Sequence, residues 1–299
     1  MRPFRSLARP DGRRLEYLCL GAPSGRVILW THGTYGQCRW PAALEARAED
    51  AGLCLLVPIR AGFGGSDPVG PGEDHASLAA ADMAVLLEHV GAGPVPVLAF
   101  GDDLHAASLL ARRHPGKVSA LIGVSASLPL HRAEDYDRMG RWHRFLLGGA
   151  RYTPDLFPFM LDTVGAMAGR MGLADFLRTL FAQSPADSAS IACPAALAAL
   201  VSGAEIALDG SGHFLPVMAE EIIAQRRGDW RVSLEALRHD LPVHLLQGDQ
   251  SLRHPAGLRA AGRAAFPWIR HHEMRGAGEL LHLQAGADLL ELAQQYLPD

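Results

Sequence analysis

The chain has 299 residues, enough for one large α/β domain with a substantial core or for two small domains. Charged residues make up 20% of the sequence and hydrophobic residues 48%, which is the composition of a globular protein and excludes a disordered one. The formal net charge of -4 is small for this length and comes with no basic stripe or acidic tail. Neither nucleic acid nor a membrane surface is therefore an expected partner.

The N-terminal segment and the cysteines indicate a cytoplasmic protein. Residues 1–18 carry charge without a following apolar run, which is not typical of a signal peptide, and no stretch has the length of a membrane-spanning helix. The four cysteines have neither metal-like nor disulfide-like spacing: Cys19, Cys38, Cys54 and Cys193. Cys54 lies within an apolar run and is predicted to be a small core residue. A reducing cytoplasm is the simplest setting for this pattern.

Apolar runs alternate with helix-like stretches along the first part of the chain. Strands are predicted over residues 15–20, 26–31, 53–58, 95–100 and 118–124, and helices over residues 40–51, 78–90 and 106–113. Ser77 is the predicted N-cap of the helix that begins at residue 78. Strands separated by helices predict a parallel sheet with right-handed crossovers.

From about residue 131 to residue 237 the pattern changes to helices and loops without a clear strand. Large apolar residues are frequent there: Phe145, Phe157, Phe159, Met160, Met167, Met171, Phe176, Phe181, Phe214 and Met218. The alternation then returns, with strands over residues 243–247 and 269–274 and helices over residues 256–265 and 287–296. We therefore predict a core formed by residues 1–130 and 238–299, with residues 131–237 inserted as a helical lid.

Five short motifs follow one another in the order found in the α/β-hydrolase family. His32-Gly33 follows a strand and resembles the family loop that supplies an oxyanion-hole amide, and residues 60–68 (RAGFGGSDP) are similar to the turn after the next strand. Residues 111–118 (ARRHPGKV) resemble the end of the helix that follows the nucleophile. Residues 248–250 (GDQ) and 276–278 (GAG) resemble the turns after the last two strands. The resemblance covers almost the whole chain. It implies a mostly parallel α/β-hydrolase sheet with helices on both faces and an inserted helical lid.

One segment of the lid resembles a subgroup of this family. Residues 181–187 (FAQSPAD) are similar to a stretch of hydrolase-like modules that bacteria often join to helix-turn-helix transcription regulators. The chain itself contains no DNA-binding segment that we can identify. Whether the protein works with such a regulator, and in which oligomeric state, stays open at this point.

All three positions of the family's catalytic triad carry a different side chain in this sequence. The nucleophile motif G-x-S-x-G is replaced by residues 101–105 (GDDLH), and counting back from residues 112–115 (RRHP) assigns Asp103 to the nucleophile position. Ser251 stands in the acid position and Glu279 in the histidine position. An aspartate nucleophile resembles that of haloalkane dehalogenases and epoxide hydrolases in this family, whose carboxylate attacks an alkyl carbon.

Residues beside these positions are candidates for contacts with a ligand. His105 replaces the second glycine of the motif, which predicts a reshaped turn and a mainly structural imidazole, with a role toward a ligand as the alternative. His282 is predicted to be a partly buried structural residue that reaches the pocket only if its turn is helical. The candidate ligand-binding residues are His32, Gly33, Thr34, Leu104, Ser251 and His282.

Neither standard hydrolase mechanism works with these side chains. An aspartate-type enzyme without its histidine stops at the covalent ester, and a serine-type enzyme lacks its hydroxyl. We expect Asp103 and Glu279 to face each other and to share a proton, because two neighbouring carboxylates do not both ionise easily. Such a pair would bind a polar group, or a cation with help from His105 or His282, although the spacing resembles no dedicated metal motif. No cofactor is predicted.

Three functions are compatible with this sequence. The leading hypothesis is a non-hydrolytic binding or sensory protein for a small apolar molecule, which the Met- and Phe-rich lid favours. The second is an enzyme with rebuilt chemistry that uses Asp103 with Glu279 and with His105 or His282 as catalytic residues. It would be either a hydrolase of the epoxide hydrolase or haloalkane dehalogenase type or a lyase or isomerase. The third is an interaction module with a vestigial pocket. The leading hypothesis predicts background-level esterase activity.

Overall fold

The structure is a computed structural model that describes residues 2–34, 36–70, 72–130, 132–207 and 215–298. Its centre is an eight-stranded sheet formed by β1 Arg5–Ala8, β2 Arg14–Gly21, β3 Arg26–Trp30, β4 Leu53–Pro58, β5 Val95–Phe100, β6 Val118–Val124, β7 Val243–Gly248 and β8 Arg270–Met274. Strands β4, β5 and β6 have the predicted bounds, whereas β1 was not predicted. His131, at the predicted start of the lid, and Phe214 lie outside the described residues.

The strand order confirms the predicted sheet. From edge to edge it is β1, β2, β4, β3, β5, β6, β7 and β8. β1 pairs antiparallel with β2 and β2 pairs antiparallel with β4, and all other neighbours are parallel. The carboxyl ends of the parallel strands therefore meet at one edge, where ligands bind in open α/β sheets.

Helices cover both faces of this sheet. In chain order the helices of the described residues are α1 Ala42–Asp50, α2 His75–His89, α3 Leu104–Arg113, α4 Ala133–Asp137, α5 Arg141–Tyr152, α6 Phe157–Met171, α7 Leu173–Phe181, α8 Pro185–Ile191, α9 Pro194–Ala204, α10 Leu215–Arg227, α11 Arg231–Glu235, α12 Ala256–Ala265, α13 Leu281–Gln284 and α14 Gly286–Gln294. α1 and α14 pack on one face, and α2 and α3 on the other. Because both faces are covered, β4 and β5 are buried along their whole length.

The start of α2 differs from the prediction. The helix begins at His75, and the N-cap is Asp74, whose carboxylate accepts a hydrogen bond from Ser77 N at 2.8 Å. Ser77 is therefore inside the first turn as a hydrogen-bond donor. A carboxylate at this position satisfies a free amide and also interacts favourably with the helix dipole.

The helices from α4 to α11 follow one another between β6 and β7, and we call this segment the helical insertion. In its described residues, 132–207 and 215–237, there is no strand, as the sequence predicted. Leu146, Phe157, Phe176 and Ile222 of the insertion belong to the same buried apolar cluster as the α1 face of the sheet. The insertion is therefore packed onto the core by apolar burial.

Among the described residues no single helix is long and apolar enough to cross a membrane. Helices α8 and α9, which are bent at the break between them, have the necessary length and apolar composition only when taken together.

The cysteines correct one prediction. Cys19 of β2 and Cys54 of β4 form a disulfide, with their Cα atoms 5.7 Å apart. The two strands are antiparallel neighbours, and this pairing brings together residues that are 35 positions apart in the sequence. Spacing along the chain does not indicate such a pair. The cytoplasmic setting stays a prediction.

Candidate functional site

The sharp turn after β5 is formed by Gly101. β5 ends at Phe100, a 3₁₀ turn spans Gly101–Asp103, and α3 follows directly. Gly101 has a φ of +61°, the left-handed conformation that favours glycine. Asp103 has φ -68° and ψ -9°, which is ordinary right-handed backbone. In this fold the strained strand-to-helix turn exposes the nucleophile, so the structure moves that position from Asp103 to Gly101.

Gly101 supplies no attacking group. A Cβ atom built on it would have Arg253 Nη1, at 3.9 Å, as its one neighbour within 4 Å among the described residues. Among the described residues, the space in which a nucleophilic side chain would stand is therefore open. A guanidinium group borders that space, and no hydroxyl or carboxylate of a described residue lies within 4 Å of it.

Asp103 is buried two residues further along, with both carboxylate oxygens bound. Its Oδ1 forms an ion pair with Arg60 Nη1, and its Oδ2 accepts a hydrogen bond from Gly33 N at 3.0 Å. Arg60 Nη2 also donates to Gly33 O at 3.0 Å. The loop amide predicted to stabilise an oxyanion is thus engaged by the protein's own carboxylate.

His32 holds this loop in place. Its Nε2 accepts a hydrogen bond from Arg60 N at 3.2 Å, and its Nδ1 lies 2.8 Å from Gly33 O. Nδ1 must therefore carry the proton, because the carbonyl oxygen only accepts. Burial, with a smaller effect of the Arg60 charge, lowers the pKa of His32 well below its ordinary value. His32 is therefore a neutral residue that holds this loop through both ring nitrogens, and its contact with a ligand stays a prediction.

Asp102 carries the second buried carboxylate of the turn. Its Oδ1 pairs with Arg226 Nη2 of α10 and lies 2.6 Å from Arg253 Nη2. Burial acts to raise the pKa of Asp102, but the two guanidinium groups outweigh it and hold this pKa well below its usual range. A residue of the core is thereby tied to the helical insertion by a buried ion pair.

Glu279 lies in the loop after β8, as predicted, but its partners are different from those predicted. Its Oε1 is 3.4 Å from Arg253 Nη1, and its Oε2 is 3.1 Å from His143 Nε2 of α5. Burial opposes ionisation most strongly, yet His143 and Arg253 together lower the pKa of Glu279 to about 2. The predicted proton-sharing pair is thus corrected, because Arg60 neutralises Asp103 and Arg253 neutralises Glu279.

Ser251 shapes the loop that presents this arginine. It is buried after β7, and its hydroxyl accepts a hydrogen bond from His254 N at 3.1 Å. Arg253 lies in the same turn and reaches Ser127 Oγ with Nη2 at 3.2 Å as well as the two carboxylates. The loop that bears the family's acid position therefore contributes a cation to the site.

Two adjacent sets of ion pairs fill this region, and we call them the buried ion-pair network. Each of its seven side chains belongs to a residue that is at most 7% exposed: Arg60, Arg226, Arg253, Asp102, Asp103, Glu221 and Glu279. Glu221 of α10 joins through its Oε2, 3.1 Å from Arg60 Nη2. Three guanidinium groups cannot neutralise four carboxylates. Burial is the main cause that raises the pKa of Glu221 to about 7. The charge of Arg60 lowers this pKa, and the charges of Asp103 and Asp102 raise it.

Glu221 is therefore expected to make the protein less stable as the pH rises. A carboxyl whose pKa is higher in the folded state stabilises the fold fully below its unfolded pKa of 4.5, and this contribution is lost as the pH rises through about 7. Glu221→Gln should remove this part of the pH dependence between pH 5 and pH 8. Urea unfolding at several pH values measures it, with the exposed neighbour substitution Glu220→Gln as the control. If the free energy of unfolding changed with pH equally in Glu221→Gln and in the wild type, the assignment of the proton to Glu221 would be contradicted.

Asp187 fastens the helical insertion to the loop that carries Glu279. Ser184 caps α8 and donates to Asp187 Oδ2 at 2.6 Å. Asp187 Oδ1 accepts hydrogen bonds from Glu279 N and Leu280 N, both at 2.9 Å, and from Gln284 Nε2 at 3.0 Å. The pKa of Asp187 is raised by burial despite these donors. One buried carboxylate thus satisfies two loop amides that have no strand partner.

Two candidate ligand residues lie in the core and not at the site. Leu104 is 1% exposed and packs in the apolar cluster between the sheet and α2. His105 stacks on Trp230, with ring centroids 5.1 Å apart, and burial lowers its pKa to about 4. Gly101 alone adopts the left-handed backbone of the turn, and the His105 side chain points to Trp230. The side chain at position 105 therefore does not crowd the turn. Leu104 is therefore not positioned for the predicted ligand contact, whereas His105 has the structural position that the sequence favoured.

His282 is also a core residue. Its ring packs against both Trp30 and Phe100, with centroid distances of 5.8 and 5.3 Å, and it is fully buried. Neither ring nitrogen has a hydrogen-bond partner among the described residues, and burial lowers its pKa to about 3. The cation site predicted from Asp103 and Glu279 with this histidine is therefore not formed. Thr34 is buried beside the His32 loop, and its contact with a ligand stays a prediction.

Two small cavities adjoin the network in the described part of the chain. One of about 10 Å³ is bordered by Arg60 and Asp103, and one of about 20 Å³ by Ser127, Arg226 and His254. A water molecule needs roughly 10–15 Å³ of this volume. Each cavity therefore has room for about one water molecule and for no organic ligand.

Sequence reasoning missed most of the residues that make these contacts. Asp102 gave a usable signal, because two consecutive carboxylates directly after a buried strand require buried cations. Ser184 and Asp187 form a helix N-cap pattern whose further bonds to a distant loop cannot be derived from spacing. For His143 and Arg226 no sequence pattern pointed to the site.

The sheet, its crossovers and the position of the sharp turn define the α/β-hydrolase fold. Solved structures of this fold are similar over nearly their whole length: an esterase from Exiguobacterium antarcticum (TM-score 0.65, 16% identity, 99% of each chain), an esterase from Rhodococcus sp. (0.67, 18%, 98% of each chain) and an epoxide hydrolase from Vigna radiata (0.63, 15%, 99% of this chain and 97% of that one). At such identities the similarity establishes the fold alone. No protein-family profile matches the sequence, and no curated protein is similar to it in sequence.

Proposed function

We propose that this protein is a non-hydrolytic protein of the α/β-hydrolase fold that binds a small, mainly apolar molecule. The observation that carries the proposal is Gly101, a residue without a side chain, at the turn where hydrolases of this fold present their nucleophile. Fold similarity to esterases and epoxide hydrolases does not transfer their activity, because function depends on the site.

The other two triad positions also lack the chemistry of hydrolysis. Glu279, with a pKa of about 2, is too weak a base to take a proton from water at neutral pH. Ser251 carries no charge to orient a base. Asp103 would have to release both Arg60 and the Gly33 amide before either oxygen could attack a carbon atom. Loss of even one triad member costs hydrolases several orders of magnitude in rate.

The apolar character of the ligand is inferred from the helical insertion. Its outer surface exposes several large side chains, at 38% to 70% of their accessible area: Phe145, Tyr152, Leu156, Phe159, Met167 and Met171. Flexible methionine and aromatic side chains adapt to apolar ligands of different shapes. The arginines of the buried ion-pair network, in contrast, are each already paired with a carboxylate of the protein.

Ester hydrolysis tests this proposal. With p-nitrophenyl acetate and p-nitrophenyl butyrate as substrates, the wild-type protein should show no turnover beyond that of Asp103→Asn at equal concentration. The physical reason is that neither protein has an activated nucleophile at the turn. Multiple turnovers by the wild type that Asp103→Asn abolishes would overturn the proposal and identify Asp103 as the nucleophile.

One contact favours the alternative function, an enzyme with rebuilt chemistry. His143 and Glu279, 3.1 Å apart, have the arrangement in which a carboxylate orients an imidazole, with the histidine supplied by the insertion. Such a pair would serve as a general base toward water. Styrene oxide or p-nitrophenyl ester turnover that falls in His143→Gln, but not in the exposed control His239→Gln, would support this alternative.

A further inference from the structure

Helix α10 covers the turn after β5 with two charged side chains. Arg226 Nη2 pairs with Asp102 of the turn. Glu221 Oε2 lies 3.1 Å from Nη2 of Arg60, the guanidinium group that also binds Asp103. In the described part of the chain, the two cavities beside these groups have room for about one water molecule each. An organic ligand therefore needs a covering element to move before it reaches this turn.

The C-terminal end of α10 is firmly attached. The carbonyl oxygen of Arg226 accepts a hydrogen bond from Arg151 Nη1 of α5 at 3.0 Å, in addition to the ion pair of its side chain. Trp230 follows the helix and stacks on His105, with ring centroids 5.1 Å apart. This end is therefore expected to stay in place when the other end moves.

The N-terminal half of α10 rests on the loop after β4. A Cβ atom built on Gly62 would lie 2.7 Å from Val217 Cγ1, so the helix packs directly against the loop backbone. Met218 and Ile222 of the same half are buried in the apolar cluster. Movement of this half exposes those apolar side chains, so the closed position is the major state.

Glu221 is the buried charge of this half, and its surroundings oppose ionisation. Burial is the main cause that raises its pKa to about 7, with a contribution from Asp103 and Asp102 against that of Arg60. Arg60 is shared with Asp103, so an ionised Glu221 adds one carboxylate more than this guanidinium group neutralises. Ionisation of Glu221 therefore destabilises the closed position of the helix.

The other charged or titratable groups on α10 and on the helices packed against it differ from Glu221. They are Glu220, Arg226 and Arg227 of α10, Tyr136 of α4, Arg141, His143, Arg144 and Arg151 of α5, Asp162 and Arg170 of α6, and His75 and Asp82 of α2. The arginines stay charged in this pH range, and burial raises the pKa of Tyr136 further above it. The side chain of Glu220 is 71% exposed, and His143 has Glu279 as its partner.

The two residues of α2 are distinguished by sign and by partner. His75 lies 3.5 Å from Glu220 Oε2, and burial lowers its pKa. Its titration favours opening as the pH falls, which is the direction opposite to that of Glu221. Burial raises the pKa of Asp82 to about 6, but Asp82 is paired with Arg9 of the core, and its effect persists when Glu221 is replaced.

We propose that α10 is a pH-responsive gate over the turn at Gly101, whose N-terminal half lifts from the loop of Arg60 and Gly62 as the pH rises. In acid the neutral Glu221 keeps this half closed. The inference rests on the proposed binding function, because the gate controls the entry of the ligand to the turn.

Hydrogen–deuterium exchange of the α10 amides measures this opening without a ligand. A lifted half of this length is not stable as an isolated helix, so its amides exchange when it opens. A carboxyl whose pKa is raised in the closed state stabilises that state fully below its ordinary pKa of 4.5, and this contribution is lost as the pH rises through about 7. The open fraction should therefore increase by up to about tenfold for each pH unit between pH 5 and pH 7 and then level off.

Exchange rates are divided at each pH by those of the unfolded chain, which removes the pH dependence of the exchange chemistry. The amides of residues 220–223 should exchange at least about tenfold faster than those of β5 at every pH, because they open locally. Equal protection of these amides and of β5 would show that α10 opens only with the whole fold, and the gate would be rejected.

Matched variants assign the pH response to one carboxylate. In Glu221→Gln the protection of residues 220–223 should be independent of pH between pH 5 and pH 8, and Glu221→Met repeats the test if the first variant does not fold. Glu220→Gln, which removes the exposed neighbour and its contact with His75, should keep the response of the wild type. The same response in Glu221→Gln and in the wild type overturns the gate while the proposed function stands. Ester turnover contradicts the proposed function alone.

Discussion

Asp102→Asn is expected to lower the free energy of unfolding by about 3–5 kcal/mol, the loss typical of removing one partner from a buried ion pair. The substitution keeps the shape of the side chain but leaves Arg226 and Arg253 without the carboxylate that both contact. All three groups are buried, so water cannot take the place of the missing charge. Urea unfolding at pH 7, followed by circular dichroism, measures the difference.

The control for this substitution is an exposed ion pair on the helical insertion. Asp175 and Arg178 are 2.7 Å apart on α7, with side chains 66% and 56% exposed. Asp175→Asn should cost no more than about 1 kcal/mol, because water screens such pairs. The double variant Asp102→Asn/Arg226→Met should lose less than the sum of its single substitutions, since both remove the same contact. Similar small losses for Asp102→Asn and Asp175→Asn would show that the network does not hold the fold together.

Most of the sheet could be predicted from the sequence because its strands are continuous apolar runs. β4, β5 and β6 are buried on both faces, and such runs between helical stretches predict parallel strands directly. β1 was missed because it is a four-residue edge strand whose residues are mostly exposed. A short edge strand has no alternating pattern that distinguishes it from a loop.

The sequence predicted which loops form the site better than it predicted the backbone conformation of the turn after β5. Motif spacing located Glu279 and Ser251 in the correct loops, because the strands before them fix where those loops begin. It misplaced the nucleophile position by two residues. The left-handed backbone of Gly101, directly after β5, is a three-dimensional property. A glycine at the first position after a buried strand was the signal that could have identified it.

The charges of the site could not be predicted from spacing along the chain. Arg60, Arg226 and Arg253 come from three distant segments, and only the folded chain brings them to Asp102, Asp103 and Glu279. The sequence-based argument treated two carboxylates as isolated and therefore expected a shared proton. Paired guanidinium groups reverse that expectation for Glu279, and the retained proton moves to Glu221 instead.

Asp187→Ala is expected to loosen the helical insertion from the core. The substitution removes the acceptor of two buried backbone amides, those of Glu279 and Leu280, and one unsatisfied buried donor costs about 1–3 kcal/mol. We therefore expect a loss of about 2–6 kcal/mol in the free energy of unfolding. Hydrogen–deuterium exchange should become faster at these two amides by about tenfold for each 1.4 kcal/mol of local destabilisation.

The matched control is Ser190→Ala in the same helix. Ser190 Oγ accepts one hydrogen bond from Gln284 Nε2 at 3.0 Å, while that same nitrogen keeps its bond to Asp187. Its removal should cost no more than about 1 kcal/mol and should leave the exchange of both loop amides unchanged. Because Glu279 N belongs to the residue that contacts His143 and Arg253, opening this loop in Asp187→Ala should also release both contacts. A uniform loss of stability, without faster exchange at Glu279 and Leu280, would mean that Asp187 stabilises α8 alone and does not fasten the insertion.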